Sequence, residues 1–123
     1  MNKDDLISRY EAGERDFRGI NLYEADLNEI DLSGADLSNA NLSVAKLEKS
    51  NLSGTNLSDA NLSGTILTGS NLSQANLSGA DLSWANLSRV NLTEANLSEA
   101  NISMAIIIGA RFRDTIMPDG TMR

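Results

Sequence analysis

The residue types that usually carry chemistry are scarce in this chain. It has no His and no Cys, so the commonest general base and the strongest side-chain nucleophile are both missing. The same absence excludes disulfides and thiolate metal sites. Serines are abundant, yet those at 73, 78, 83, 88 and 98 each follow a leucine at one fixed phase, which marks them as corner residues. Asp26 and Glu29 could pair for general acid–base work, but both sit on repeat positions that face water. Gly54, Gly64, Gly69 and Gly79 recur at a corner position and form no phosphate loop. A nonapeptide calcium-binding repeat is absent. We therefore expect no catalytic, metal-ligating or cofactor-binding residues, and no enzyme.

The pattern that remains is positional. From Asn71 to Ala100, leucine falls at 72, 77, 82, 87, 92 and 97. A small residue stands two places before each leucine, with Val90 as the exception. Asn or Asp stands immediately before it, and Ser or Thr immediately after. A period of five is neither helical nor that of a plain strand. Positions two apart share a face of an extended segment, so leucine and the small residue can both point inward while the other three residues turn the chain. Asn, Asp, Ser and Gly suit such corners because they tolerate turns and bond locally to backbone. The expected result is a coil with leucine at its centre.

Spacing alone leaves three, four or five corners per turn open. Substitutions favour four. Between residues 21 and 110 the residue before the central position departs from Asn or Asp at Lys46, Ile66 and Ile106, which are 20 and 40 residues apart. Ile30, Ser50, Ser70 and Val90, at the inward small position, also recur every 20 residues. Stacked at 20 per turn, Asn51, Asn71 and Asn91 form one column and Asn56, Asn76 and Asn96 another, where amides could bond from rung to rung. Ligand or ion binding by such ladders is the less economical reading; corner bonding accounts for them. Ser50, Thr55, Thr65 and Ser70 would turn hydroxyls inward, each then requiring a backbone acceptor.

The A(N/D)LSX pattern resembles the pentapeptide-repeat family, whose members form a right-handed quadrilateral β-helix. The match runs from about Arg15 to about Asp114. Tyr10 to Phe17, Tyr-Glu-Ala-Gly-Glu-Arg-Asp-Phe, is similar to the opening of many cyanobacterial members, and Ile116 to Thr121 is similar to their exits. The resemblance implies an all-β solenoid and little about activity.

We thus expect one domain over residues 1–123: a capping helix at 2–12, repeat coils at 15–114 and a tail at 115–123. Five coils at about 4.8 Å each make a rod core roughly 24 Å long, too narrow for an internal ligand cavity. Asn2 can cap the helix, with Asp4 and Asp5 at the positive end of its dipole. A helix this short is marginal alone, so Leu6 and Tyr10 should pack it over the open end of the leucine column, above Phe17. At the far end no second helix follows. The bare coil there invites pairing with another chain, unless Met117 and the tail fold over it.

Net charge is −7. Residues 1–36 carry ten acids and four bases, a balance of −6, whereas residues 37–123 carry seven acids and six bases, a balance of −1. A chain of this charge should not bind nucleic acid backbone. No apolar run approaches a membrane span, and the N-terminus lacks a signal-peptide core, so a cytoplasmic location is expected.

Function is then a matter of surface. Under four-sided stacking, Glu24, Val44, Gly64, Trp84 and Met104 form one outward column, with Lys46, Ile66 and Ile106 on the next side and Ile108 beside them. Ile66, Trp84, Met104, Ile106, Ile108 and Ile116 are the candidate contact residues, since clustered exposed apolar groups mark contact sites. The expected function is a non-enzymatic scaffold that binds an unidentified protein through a flat face or its C-terminal end, with a homodimer through that end as one form. The alternative is DNA mimicry directed at a topoisomerase such as gyrase, which the resemblance to the family suggests. Against it, the acids gather at one end and no loop interrupts the pentads. Ice binding is disfavoured because the regular outward residues are Ser and Asn rather than columns of Thr.

Overall fold

Residues 20 apart pair in parallel from Asp16 with Asp36 up to Asn96 with Ile116. The structure, a computed structural model, describes residues 1–123. The pairing gives a quadrilateral rod. Its first side is centred on Phe17, Leu37, Leu57, Leu77, Leu97 and Met117. The second is centred on Leu22, Leu42, Leu62, Leu82 and Ile102. The third runs through Leu27, Leu47, Leu67, Leu87 and Ile107, and the fourth through Leu32, Leu52, Leu72, Leu92 and Phe112. Every central leucine from Leu22 to Leu97 is buried, and the small residues two places earlier fill the space where the walls converge.

Each pentad repeats the same hydrogen bonds. The residue before the leucine donates to the coil below, as Asn51 N–H does to the Ile30 carbonyl at 2.9 Å. The leucine and the residue two after it donate to the coil above, as Leu52 does to Asn71 at 2.8 Å and Gly54 to Ser73 at 2.9 Å. Of 83 backbone–backbone bonds, 5 lie within regular elements; the rest join coil to coil, close the corners and secure the two ends.

The corner is a four-residue turn closed on the leucine carbonyl, as from Ala75 N–H to Leu72 O at 3.1 Å. Its third residue always has positive φ, from Gly19 to Asp114, which is the signature of a type II turn. Glycine meets that requirement freely, but Val44 adopts it at φ 58° and Trp84 at 62°. A β-branched residue there is an outlier.

The Asn and Asp columns serve these corners. The Oδ1 of Asn51, Asn71 and Asn91 each accepts the backbone N–H two residues on, at 2.9–3.1 Å. No Asn bonds its neighbour in the column, so the expected amide ladder does not form; the local turn engages the oxygen first. Where Lys46 supplies no acceptor, Asn28 of the coil below accepts the Glu48 N–H at 2.9 Å. Where Arg111 supplies none, Thr115 Oγ1 accepts the Arg113 N–H at 3.1 Å. Ile116 is followed two residues later by Pro118, which has no N–H to satisfy. The inward hydroxyls of Ser50, Thr55 and Thr65 find the expected carbonyls, of Leu47, Leu52 and Leu42, at 2.7–2.9 Å. The Ser70 hydroxyl is buried without a partner.

The ends differ. Helix α1 spans Lys3–Glu11, with Asn2 as N-cap accepting the Asp5 N–H at 2.9 Å and Ala12 as C-cap, so the expected 2–12 segment includes both caps. Leu6 is fully buried beneath Phe17, at the N-terminal end of the leucine column. At the other end the backbone of the tail pairs with the first side only. Met117 N–H donates to Thr121 at 2.7 Å, and Thr115 and Arg123 exchange bonds at 3.0 and 2.8 Å. On the remaining three sides the last coil has no coil above it. The N–H groups of Ile102, Met104, Ile107, Gly109, Phe112 and Asp114 therefore have no acceptor within the chain.

Candidate interaction surface

The hydrogen-bond register sets the outward columns. Gly64 N–H donates to Ser83 and Trp84 N–H to Ser103, at 2.9 and 3.0 Å. Gly64, Trp84 and Met104 therefore stack at the corner between the second and third sides. Left-handed corner geometry throws these side chains outward: Trp84 is 68% exposed and Met104 65%. A Cβ at Gly64 would touch Val44 Cγ2 at 3.7 Å and no atom of the indole, so Trp84 does not lie back over the glycine.

Ile66 and Ile106 both occupy the first outward column of the third side, but Asn86 stands between them, paired to each. Ile66 is half-buried, Ile106 is 45% exposed and Ile108, in the adjacent column, 77%. The apolar residues therefore concentrate on the last coil, with Trp84 one rung below and Ile66 two below. Ile116 lies apart, half-buried on the first side, where Met122 pairs with it antiparallel.

Ile107 belongs with this cluster and was not among the expected contact residues. The pentad phase points it inward, yet no coil covers it and it is 37% exposed. Its neighbours in chain, Ile106 and Ile108, flank it on the outer face. The cluster thus wraps from the corner over the open end of the rod. Neither Ile66 nor Ile106 can accept a corner hydrogen bond, and the N–H groups of Thr68 and Ile108 have no partner in the chain. Both places where the corner bond is simply lost lie on this side.

Charge is segregated along the axis. Asp16, Asp26, Asp31 and Asp36 stand on the first two coils, where later coils mostly carry Asn. Asp16 forms two bonds to the Arg18 guanidinium, at 2.8 and 2.9 Å. The Arg18 side chain and backbone N–H hold its carboxyl down to about 2. No group of acidic residues converges as a metal site, and no helix is long and apolar enough to cross a membrane.

Comparison with known proteins agrees with this architecture. The family model for pentapeptide repeats matches residues 16–54, 36–74, 55–93 and 75–114. A pentapeptide repeat protein from the thylakoid lumen of Arabidopsis thaliana is 34% identical, with a TM-score of 0.73 over 86% of this chain and 70% of that one. HetL from the cyanobacterium Nostoc sp. strain PCC 7120, a pentapeptide repeat protein involved in heterocyst differentiation regulation, aligns over 100% of both chains at 24% identity and a TM-score of 0.61. That likeness concerns the fold alone. No protein of curated function matches. The chain belongs to the pentapeptide-repeat family, and its fold is the right-handed quadrilateral β-helix.

Proposed function

We propose that this protein is a non-enzymatic scaffold that binds another protein through its C-terminal end and the adjoining corner. One observation carries the reading: Trp84, Met104, Ile106, Ile107 and Ile108 are exposed together beside a last coil whose backbone N–H groups are unpaired. Burying an apolar cluster of this kind is favourable on contact, and an unpaired strand edge accepts further pairing. A homodimer through this end is one form of the proposal. A cytoplasmic setting is another part of it, although the Arabidopsis relative comes from the thylakoid lumen.

The alternative, DNA mimicry towards gyrase, has less support. A mimic of duplex charge needs acids along its length, and here the outward columns turn mostly from Asp to Asn after Asp36. The test of the leading reading uses the tagged protein as bait. Partners captured by the wild type should be lost with the Trp84→Ala/Ile106→Asp variant while its circular dichroism is unchanged. Recovery of the same partners by both would overturn this surface. Light scattering distinguishes a homodimer from a heterologous complex.

A further inference from the structure

We infer that the open end of the fourth side is a binding site for an extended acidic peptide of the form acid–apolar–acid, which adds to the rod as one more rung. This deepens the proposed binding role and rests on it, but uses none of the residues of the Trp84–Ile108 cluster.

Three arginines converge there. Arg111 and Arg113 flank Phe112 on the last rung, and the Arg123 guanidinium lies over the Phe112 ring, 4.4 Å from its centre. With Thr93 and Ala110 they line an open groove of about 580 Å³. No carboxylate pairs with any of the three: the ion pairs of the chain are Arg9–Glu14 and Arg18–Asp16. Six bases stand in residues 37–123, and three of them gather at this one place. Above Asp31 of the first coil the columns beneath are neutral, with Asn51, Asn71 and Asn91 under Arg111, and Ser53, Ser73 and Thr93 under Arg113. The change to arginine occurs only where the stack stops.

The backbone defines what fits above. One rung lower, Leu92 and Glu94 N–H donate to the Arg111 and Arg113 carbonyls at 2.9 and 2.8 Å, and Arg111 N–H donates to Val90 at 2.9 Å. The equivalent groups of the top rung, the Phe112 and Asp114 N–H and the Ala110 carbonyl, have no partners. An extended tripeptide laid in register would accept from the first two through its outer residues and donate to Ala110. Its first and third side chains would then stack over Arg111 and Arg113, and its middle side chain would replace Arg123 on Phe112. Carboxylates suit the two outer places because guanidinium–carboxylate bonds are charge-assisted. An apolar residue suits the middle. A small free anion could meet one guanidinium but not both donors two residues apart. Glu94 and Asp114, stacked at the corner that follows Arg113, are the groups that would oppose an acid placed one residue further on.

The test is fluorescence anisotropy with a labelled synthetic peptide carrying a central Asp-Leu-Asp. Binding should weaken about tenfold for each of Arg111→Glu and Arg113→Glu. A Lys-Leu-Lys peptide should bind the double variant and not the wild type. N-methylation of the first Asp, or the order Leu-Asp-Asp, should weaken binding of the wild type, and hydrogen exchange at the Phe112 and Asp114 amides should slow in the complex. No binding, or equal binding of the methylated and reordered peptides, would overturn the strand-addition geometry. So would a dimer of the free protein that Arg111→Glu dissociates, because a second copy would then occupy the edge. The Trp84→Ala/Ile106→Asp variant should bind the peptide as the wild type does, which separates failure here from failure of the apolar surface.

Discussion

The Tyr10 hydroxyl donates to the Ser33 carbonyl at 2.7 Å, across the seam between α1 and the first coil. In the next rung up, the equivalent carbonyl, that of Ser53, accepts the Gly34 N–H from the coil below. The first coil has nothing below it, and the phenol supplies the missing donor. Lys3 Nζ does the same for the Asn28 carbonyl on the third side. The helix is therefore a substitute rung as well as an apolar lid. Replacing Tyr10→Phe keeps the ring and removes the donor, and should lower stability by about 1 kcal/mol. Urea unfolding of both proteins measures this; equal midpoints would show that Leu6 burial alone secures the cap.

Ser70 presents the opposite case, a polar group with nothing to bond. It shares a column with Ser50, whose hydroxyl reaches the Leu47 carbonyl at 2.7 Å, yet its own Oγ is buried without a partner. Ser70→Ala removes that group and should stabilise the rod by about 1 kcal/mol. Ser50→Ala should be neutral or destabilising. Thermal unfolding of the pair decides it, and a loss of stability in Ser70→Ala would mean that the hydroxyl has an acceptor in solution.

Much of this architecture is legible from spacing. Leucine at every fifth place points to the coil, and Lys46, Ile66 and Ile106 in phase at 20 favour its four sides. The corner geometry is less visible, because positive φ is adopted by Glu, Lys, Arg, Trp and Val as well as Gly; pairing of the coils overrides local preference. The top of the rod is least visible. Phase alone puts Ile107 in the core, and burial depends on a coil above it that the pattern does not supply. Arg111, Arg113 and Arg123 likewise read as scattered charges until the tail brings Arg123 over Phe112.

Val44 tests how much the corner costs a poor residue. Its branched side chain is held at φ 58°, a region that disfavours L-residues by about 1–2 kcal/mol. Val44→Gly should therefore raise the unfolding midpoint despite the usual entropic cost of glycine. The converse change, Gly54→Val, should lower stability by a similar amount. Denaturant unfolding of both variants checks the pair, and a fall in both would show that Val44 contributes more by packing than its backbone costs.

Acid should weaken the N-terminal coil through Asp16. Its carboxyl, bonded by Arg18, sits at about 2 against an ordinary 3.8. A carboxyl lowered by folding stabilises the native state fully above its unfolded value, and that contribution fades as pH falls through its folded one. The loss should thus fall between about pH 4 and pH 2. Asp119, lowered by the Thr121 hydroxyl and backbone N–H, acts with the same sign at the tail. Asp16→Asn should flatten the first part of the stability profile. Both carboxyls are exposed, so added salt should reduce the Asp16 effect. An Asp16→Asn profile that superimposes on the wild type down to pH 2 would refute the assignment.

Ile106 separates stability from binding. As an Ile it leaves the Ile108 N–H without the corner acceptor that Asn86, one rung below in the same column, provides to Ser88 at 3.0 Å. Ile106→Asn restores that acceptor at an outward position already 45% exposed, so the rod should gain about 0.5–1.5 kcal/mol. The same change removes an apolar side chain from the open end and should reduce capture of the proposed partner. Increased thermal stability with diminished capture would identify Ile106 as a residue kept for contact at the expense of the corner. Unchanged capture would place the contact elsewhere on the end, and a fall in stability would mean that the Ile106 side chain packs on the rod.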